Sequence, residues 1–127
     1  MEQQSIMSTQ APEPAGPYSQ AIQVGQFVYV SGQIGVDRAT GKLVSAGVES
    51  QTRQALKNLE AILHEAGSSL AQVIKTTVFL TNLDDFKAMN MVYADSFRAM
   101  PPARSTVAVV GLPGGARVEI EAVAFVP

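Results

Sequence analysis

The sequence predicts an α+β fold, a mixed β-sheet with two helices packed on one face. Two observations carry this. Runs rich in β-branched and aromatic residues recur at Phe27–Val36, at Val73–Thr81 and on either side of the Gly111–Gly115 turn, which marks strands. Two other stretches, Glu49–Ala66 and Phe86–Met100, repeat their apolar residues every three to four positions, which marks helices. At 127 residues the chain has the length of one domain, and residues 1–127 are read as one, with 1–10 as a flexible lead-in.

Residues 1–17 hold Pro12, Pro14, Gly16 and Pro17 and read as an extended lead-in, frayed at its first few residues. Tyr18–Val24 alternates loosely as a first strand and turns at Gly25-Gln26. In Phe27–Val36, Gly32 and Gly35 mark a bulge or a close backbone approach. Asp37–Lys42 is a loop, and Leu43–Ala46 is read as a brief pairing segment. Through the long helix, Thr52, Ala55, Leu56, Leu59, Ile62, Leu63 and Ala66 share a face, and Gly67 is its stop. Ser68–Gln72 is a short turn. After the strand Val73–Thr81, Asn82 reads as an N-cap, with Asp84 and Asp85 favoured in the first turn of the second helix. Phe86, Met89, Val92, Tyr93, Ser96 and Phe97 give that helix its period through about Met100, where Pro101-Pro102 stops it. Two strands finish the chain. The turn between them is longer than a tight hairpin, so they need not be neighbours. The sheet face away from the helices needs a cover, and oligomerisation through it follows from the apolar run Val107–Val110.

Composition excludes several classes. A hydrophobic fraction of 46% with 16% charged residues excludes a disordered chain. The net charge of −2 and the lack of any Lys/Arg cluster argue against nucleic-acid binding. No apolar run approaches the roughly 20 residues that span a bilayer, and Met1–Ser5 lacks the basic start of a signal peptide. The chain has no cysteine, which removes disulfides and thiolate chemistry. A cytoplasmic setting is expected.

His64, the single histidine, reads as a helix-surface residue, and with it go Ser-His-Asp hydrolysis and His-based metal sites. The glycines lack dinucleotide or phosphate-loop spacing. The five methionines read as core filling or interface packing. What remains is Arg104 and Glu119, with Thr106, Tyr18 and Ser31. Alternation puts Arg104, Thr106 and Ala108 on one face of their strand, and Glu119 and Glu121 on one face of theirs. An arginine and a carboxylate inside apolar strands are costly without partners, so the residues point to a convergent Arg/Glu/hydroxyl site. Arginine holds carboxylates through a bidentate fork, and a half-buried glutamate orients or activates water. A structural ion pair, or the wet face of an edge strand, fits the same residues.

Five segments in order add a more specific signal: Gly16-Pro17-Tyr18-Ser19-Gln20-Ala21, Ser31-Gly32-Gln33-Ile34, Val73–Leu80, Pro102-Ala103-Arg104-Ser105 and Val118-Glu119-Ile120-Glu121-Ala122-Val123. Together they resemble the YjgF/Rid family of enamine/imine deaminases, collinearly from about Gln10 to Val126. The resemblance implies a chorismate-mutase-like α+β fold assembled as a homotrimer with sites in the clefts between subunits. It implies hydrolysis of enamines and imines such as 2-aminoacrylate and 2-iminopropionate to 2-keto acids and ammonia, with no cofactor and no metal.

Carried over by position, Arg104 matches the arginine that clamps the substrate carboxylate, and Glu119 the residue that holds the attacking water. Tyr18 matches the tyrosine at the site mouth and Asn90 an asparagine near the cleft, while Ser31-Gly32 lines the pocket. One departure stands out: Thr106 occupies a position that is often cysteine in the family. Its hydroxyl still bonds water or substrate, but thiolate chemistry is excluded. The rival expectations are a non-catalytic trimer binding small carboxylates, an RNA-cleaving translation inhibitor and a chaperone-like holdase.

Overall fold

The computed structural model describes all 127 residues. It holds one mixed sheet of six strands in the order β1-β2-β3-β6-β4-β5. The strands are β1 (Gln3–Ile6), β2 (Ala21–Val24), β3 (Phe27–Ile34), β4 (Val73–Leu80), β5 (Ala103–Ala108) and β6 (Val118–Phe125), and the helices are α1 (Val48–Glu65) and α2 (Phe86–Ser96). The two C-terminal strands are indeed not neighbours. Strand β6 runs antiparallel between β3 and β4. Strand β5 lies parallel to β4 at the edge, reached through α2, because parallel partners need a crossover.

Helix α1 packs on β3 and β6 and against α2. Its buried face is Val48, Thr52, Ala55, Leu56, Leu59, Ile62 and Leu63. These meet Val28, Val30, Val118, Ile120, Ala122 and Ala124 in one core, each large aliphatic side chain contributing about 1.5–3 kcal/mol. Gly35 permits the close helix–sheet contact, since a Cβ there would stand 2.6 Å from the Cα of Gln51. Gly67, at φ +81, ends the helix in the left-handed region.

Several local expectations change. The lead-in is not free of regular structure: residues 3–6 form β1, paired from Gln3↔Val24 to Ile6↔Ala21. Only Ile6 of that strand is buried, so its pairing comes from β2 rather than from any pattern of its own. The first expected strand shortens to Ala21–Val24, while the brief pairing expected at Leu43–Ala46 is found as a bridge from Leu43 to Val36. Asn82 accepts from the N–H of Asp84 at 2.9 Å, capping a 3-10 turn at Leu83–Asp85 rather than α2 itself. Helix α2 ends at Ser96, short of Met100, because Phe97 leaves helical geometry (φ −134°, ψ 52°) and packs its ring, tilted by 43°, with its centroid 4.6 Å from that of Tyr93. Of the five methionines only Met89 is buried.

The opposite sheet face is uncovered. Phe27 and Tyr29 of β3, Val107 of β5 and Phe125 of β6 are exposed large hydrophobics there. No helix is long and apolar enough to cross a membrane.

Candidate active site

The ladder decides which side chains meet. In the parallel β4–β5 register Arg104 pairs with Thr76 and Thr106 with Val78, and both partners are fully buried on the helix side. Arg104 and Thr106 therefore face α2. The Arg104 Cζ lies 4.7 Å from the centroid of the Tyr93 ring and 5.6 Å from that of Phe86, within cation–π range of both. Phe86, Asn90 and Tyr93 stand four and three residues apart on one face of α2, which puts Asn90 beside this cluster. No carboxylate of the chain pairs with Arg104. The Thr106 hydroxyl oxygen is buried and has no hydrogen-bond partner.

Glu119 stands elsewhere. It pairs with Phe79 of β4 and Ile34 of β3, on the uncovered face. Its carboxylate lies against the bulge between Val30 and Gln33, where a Cβ on Gly32 would be 2.8 Å from the Glu119 Cδ. Burial raises the Glu119 pKa above its ordinary value, and the neighbouring Glu121 charge adds to this. Glu119 and Gly32 line a cleft of about 580 Å³ with Tyr18, Ile34, Arg38 and Pro113. Tyr18 is half-exposed at its wall, and its hydroxyl accepts from the N–H of Ala15 at 3.2 Å. Ser31 is tied back instead. Its hydroxyl donates to the carbonyl of Ser19 at 2.6 Å, and it borders a shallower depression with Tyr18 and Glu121.

The convergent Arg/Glu/hydroxyl site is thus not formed within one chain. Thr76 and Phe79, the β4 partners of Arg104 and Glu119, are three residues apart, and an odd separation sends side chains to opposite faces. One half-site holds Arg104, Thr106 and Asn90, the other Glu119, Gly32 and Tyr18. Sequence reasoning passed over Tyr93 and Phe86, which it assigned to helix periodicity. Their spacing around Asn90 was the available signal. It also passed over Arg38 and Pro113, which only the folded chain brings to the cleft. No three His, Asp or Glu side chains come together as metal ligands. Chemically, the first half can take a carboxylate on an unneutralised guanidinium. The second offers a desolvated carboxylate, a stronger base than one in water.

This architecture, a six-stranded mixed sheet with two helices on one face, defines the class. Residues 8–126 match the family model described as Endoribonuclease L-PSP. The chain belongs to that family, the one in which the YjgF/Rid resemblance placed it. It is 49% identical to 2-iminobutanoate/2-iminopropanoate deaminase of Mus musculus over 94% of this chain and 88% of that protein. Among solved structures it is similar to RidA from the Antarctic bacterium Psychrobacter sp. PAMC 21119, with a TM-score of 0.93 and 43% identity over 96% of this chain and 98% of that one. It is also similar to Escherichia coli TdcF with bound serine, with a TM-score of 0.91 and 42% identity over 96% and 98%.

Proposed function

We propose that this chain is a 2-iminobutanoate/2-iminopropanoate deaminase. It hydrolyses 2-aminoacrylate- and 2-iminopropionate-type intermediates to 2-keto acids and ammonia, as a cytoplasmic homotrimer with sites between subunits. The observation that carries the reading is Arg104: half-buried, seated on two rings, with no carboxylate of its own chain. The names of the deaminase relatives support it.

In this mechanism Arg104 of one subunit clamps the substrate carboxylate, and Thr106 and Asn90 bond to it or to its water. A second subunit supplies Glu119 across the uncovered sheet face, with Gly32 and Tyr18 shaping the cleft. An enamine first takes a proton at carbon to become the imine. Water then adds to the carbon of the protonated imine (iminium): Glu119 takes one water proton, the oxygen bonds to carbon, and the C=N electron pair returns to nitrogen, which becomes a neutral amine. Collapse of this carbinolamine forms the carbonyl and releases ammonia: Glu119 returns its proton to the leaving nitrogen, and the hydroxyl proton passes to solvent, replacing the one taken up at the enamine carbon. The raised Glu119 pKa suits a group that must accept and then return a proton.

The test is a coupled assay in which a dehydratase or an amino-acid oxidase generates the imine in place. Decay to keto acid accelerates with wild type and not with Arg104→Ala. No acceleration across several amino-acid precursors sinks the enzyme reading. A binding-only trimer is then favoured, for which the structural likeness to TdcF with bound serine is the specific observation.

A further inference from the structure

Arg104 has an uncommon problem. It sits on an edge strand that pairs only with β4, and its N–H donors serve a substrate only if nothing in the chain consumes them. A carboxylate partner would fix it but neutralise it. The chain uses an aromatic ring instead. Tyr93, 6% exposed, carries the Arg104 Cζ over its ring at 4.7 Å. That ring is held at both ends. Its hydroxyl shares a 2.7 Å hydrogen bond with the hydroxyl of Thr76, and its side packs on Phe97 at 4.6 Å. Thr76 is itself fully buried and is the residue paired with Arg104 in the β4–β5 ladder. A closed loop results: Arg104 backbone to Thr76 backbone, Thr76 hydroxyl to Tyr93 hydroxyl, Tyr93 ring to Arg104 guanidinium.

We propose that Tyr93, anchored by Thr76, is the positioning residue of Arg104, holding the guanidinium by its face so that its in-plane donors remain free for a planar carboxylate. A ring attracts a guanidinium along the ring normal, and in the stacked arrangement the N–H bonds lie parallel to the ring and point away from it. The attraction therefore orients the group, and although the Tyr93 hydroxyl also interacts with Arg104, its close hydrogen bond is to Thr76 and leaves the guanidinium fork open. The ring and the anchor have separable duties: the ring holds Arg104, and the hydroxyl pair fixes where the ring stands. Asn90 lies on the same helical face and Phe86 supplies the second ring at 5.6 Å, so α2 as a whole forms the seat. This inference rests on the carboxylate-clamp role of Arg104 and adds the group that makes the clamp available.

The experiment compares wild type, Tyr93→Phe, Tyr93→Leu and Arg104→Lys. For each, binding of 2-oxobutanoate is measured by calorimetry, KM and kcat with an imine generated in place, and the unfolding temperature. Tyr93→Leu is expected to weaken 2-oxobutanoate binding and raise KM by about tenfold, with kcat within about twofold. Tyr93→Phe keeps the ring and recovers affinity to within about threefold of wild type, although it strands the Thr76 hydroxyl and unfolds at a lower temperature. Equal losses of affinity in the Phe and Leu variants, or none in Leu, overturn the proposal. A second readout uses wild type alone and so survives a Leu variant that fails to fold. The Arg104 Nε–H resonance, identified by its disappearance in Arg104→Lys, should lie upfield from the ring current. An ordinary shift overturns the stacking. The two readings fail separately: wild type that neither binds 2-oxobutanoate nor turns over imine defeats the proposed function, while the resonance still decides the seat.

Discussion

Arg104 and Glu119 stand on opposite faces of the sheet, their β4 partners Thr76 and Phe79 being three residues apart. A reaction needing both therefore draws them from two chains. Subunits of Arg104→Ala and Glu119→Ala, each inactive alone, should then regain activity when mixed during refolding. Random assembly gives about one quarter of sites an intact Arg104 and an intact Glu119 from different chains. Recovery near that fraction is the expected result, measured by imine decay. No recovery removes one of the two groups from the chemistry.

Gly32 is held small by Glu119. A Cβ at this position would stand 2.8 Å from the carboxylate carbon. Gly32→Ala must therefore push the Glu119 head aside, and a surface-side carboxylate can move without unfolding the sheet. The expected outcome is a fall in kcat of about tenfold or more, as for a displaced general base. Thermal unfolding should change little. A normal kcat with a normal fold would detach Glu119 from the reaction.

Burial, with a smaller push from Glu121, raises the Glu119 pKa in the folded protein. The base form then appears at higher pH than it does for an exposed glutamate, so kcat/KM should climb with pH to a plateau reached later than an exposed glutamate would give. Glu119→Gln removes that limb and lowers kcat by about a hundredfold. Stability runs the other way. A folded pKa above the unfolded one favours the fold below the unfolded pKa, and that contribution is lost as pH rises through the folded value. Glu119→Gln should therefore unfold at a higher temperature than wild type at neutral pH, with the gap closing in acid.

Thr106 carries a buried hydroxyl with no partner. An unmet buried hydroxyl costs about 1–3 kcal/mol, so Thr106→Val, nearly the same shape, should hold or raise stability by about 1 kcal/mol in denaturant unfolding. If the hydroxyl serves substrate or its water, the same variant loses turnover. A variant at once more stable and less active separates function from folding at this position. Unchanged activity would return Thr106 to packing.

Local patterns explain what was legible in the chain. Helix α1 falls at Val48–Glu65 against an expected Glu49–Ala66, and β4 at Val73–Leu80 against Val73–Thr81, because their periods are strong and their ends punctuated. The faces of Arg104 and Glu119 were also readable strand by strand, since alternation is local. What alternation does not contain is the phase between two strands. The insertion of β6 between β3 and β4 separates Arg104 from Glu119, and that is a property of the whole sheet. Strand β1 was equally out of reach: Gln3, Gln4 and Ser5 are exposed, so nothing in them marks a strand. Tyr93 was visible as a helical repeat, but its role depends on Thr76 and Arg104, far away in sequence.

The last contact to test joins the two half-sites through the fold. Asp85, 8% exposed, directly precedes Phe86 of the Arg104 seat, and Arg117 lies two residues before Glu119. Their bidentate pair, at 2.7 and 3.2 Å, thus ties the start of α2 to the start of β6. The Arg117 N–H donates to Gln51 at 2.8 Å and its guanidinium to the carbonyl of Ala46 at 3.2 Å, so the tie reaches α1 as well. Arg117→Ala leaves the Asp85 carboxylate buried and unpaired, and the partly exposed Arg117 limits the loss to about 1–2 kcal/mol in denaturant unfolding. Asp85→Asn/Arg117→Ala should recover part of this, because no buried charge remains. Were the double variant as unstable as the single one, Arg117 would matter for the guanidinium's hydrogen bond to the Ala46 carbonyl rather than for charge.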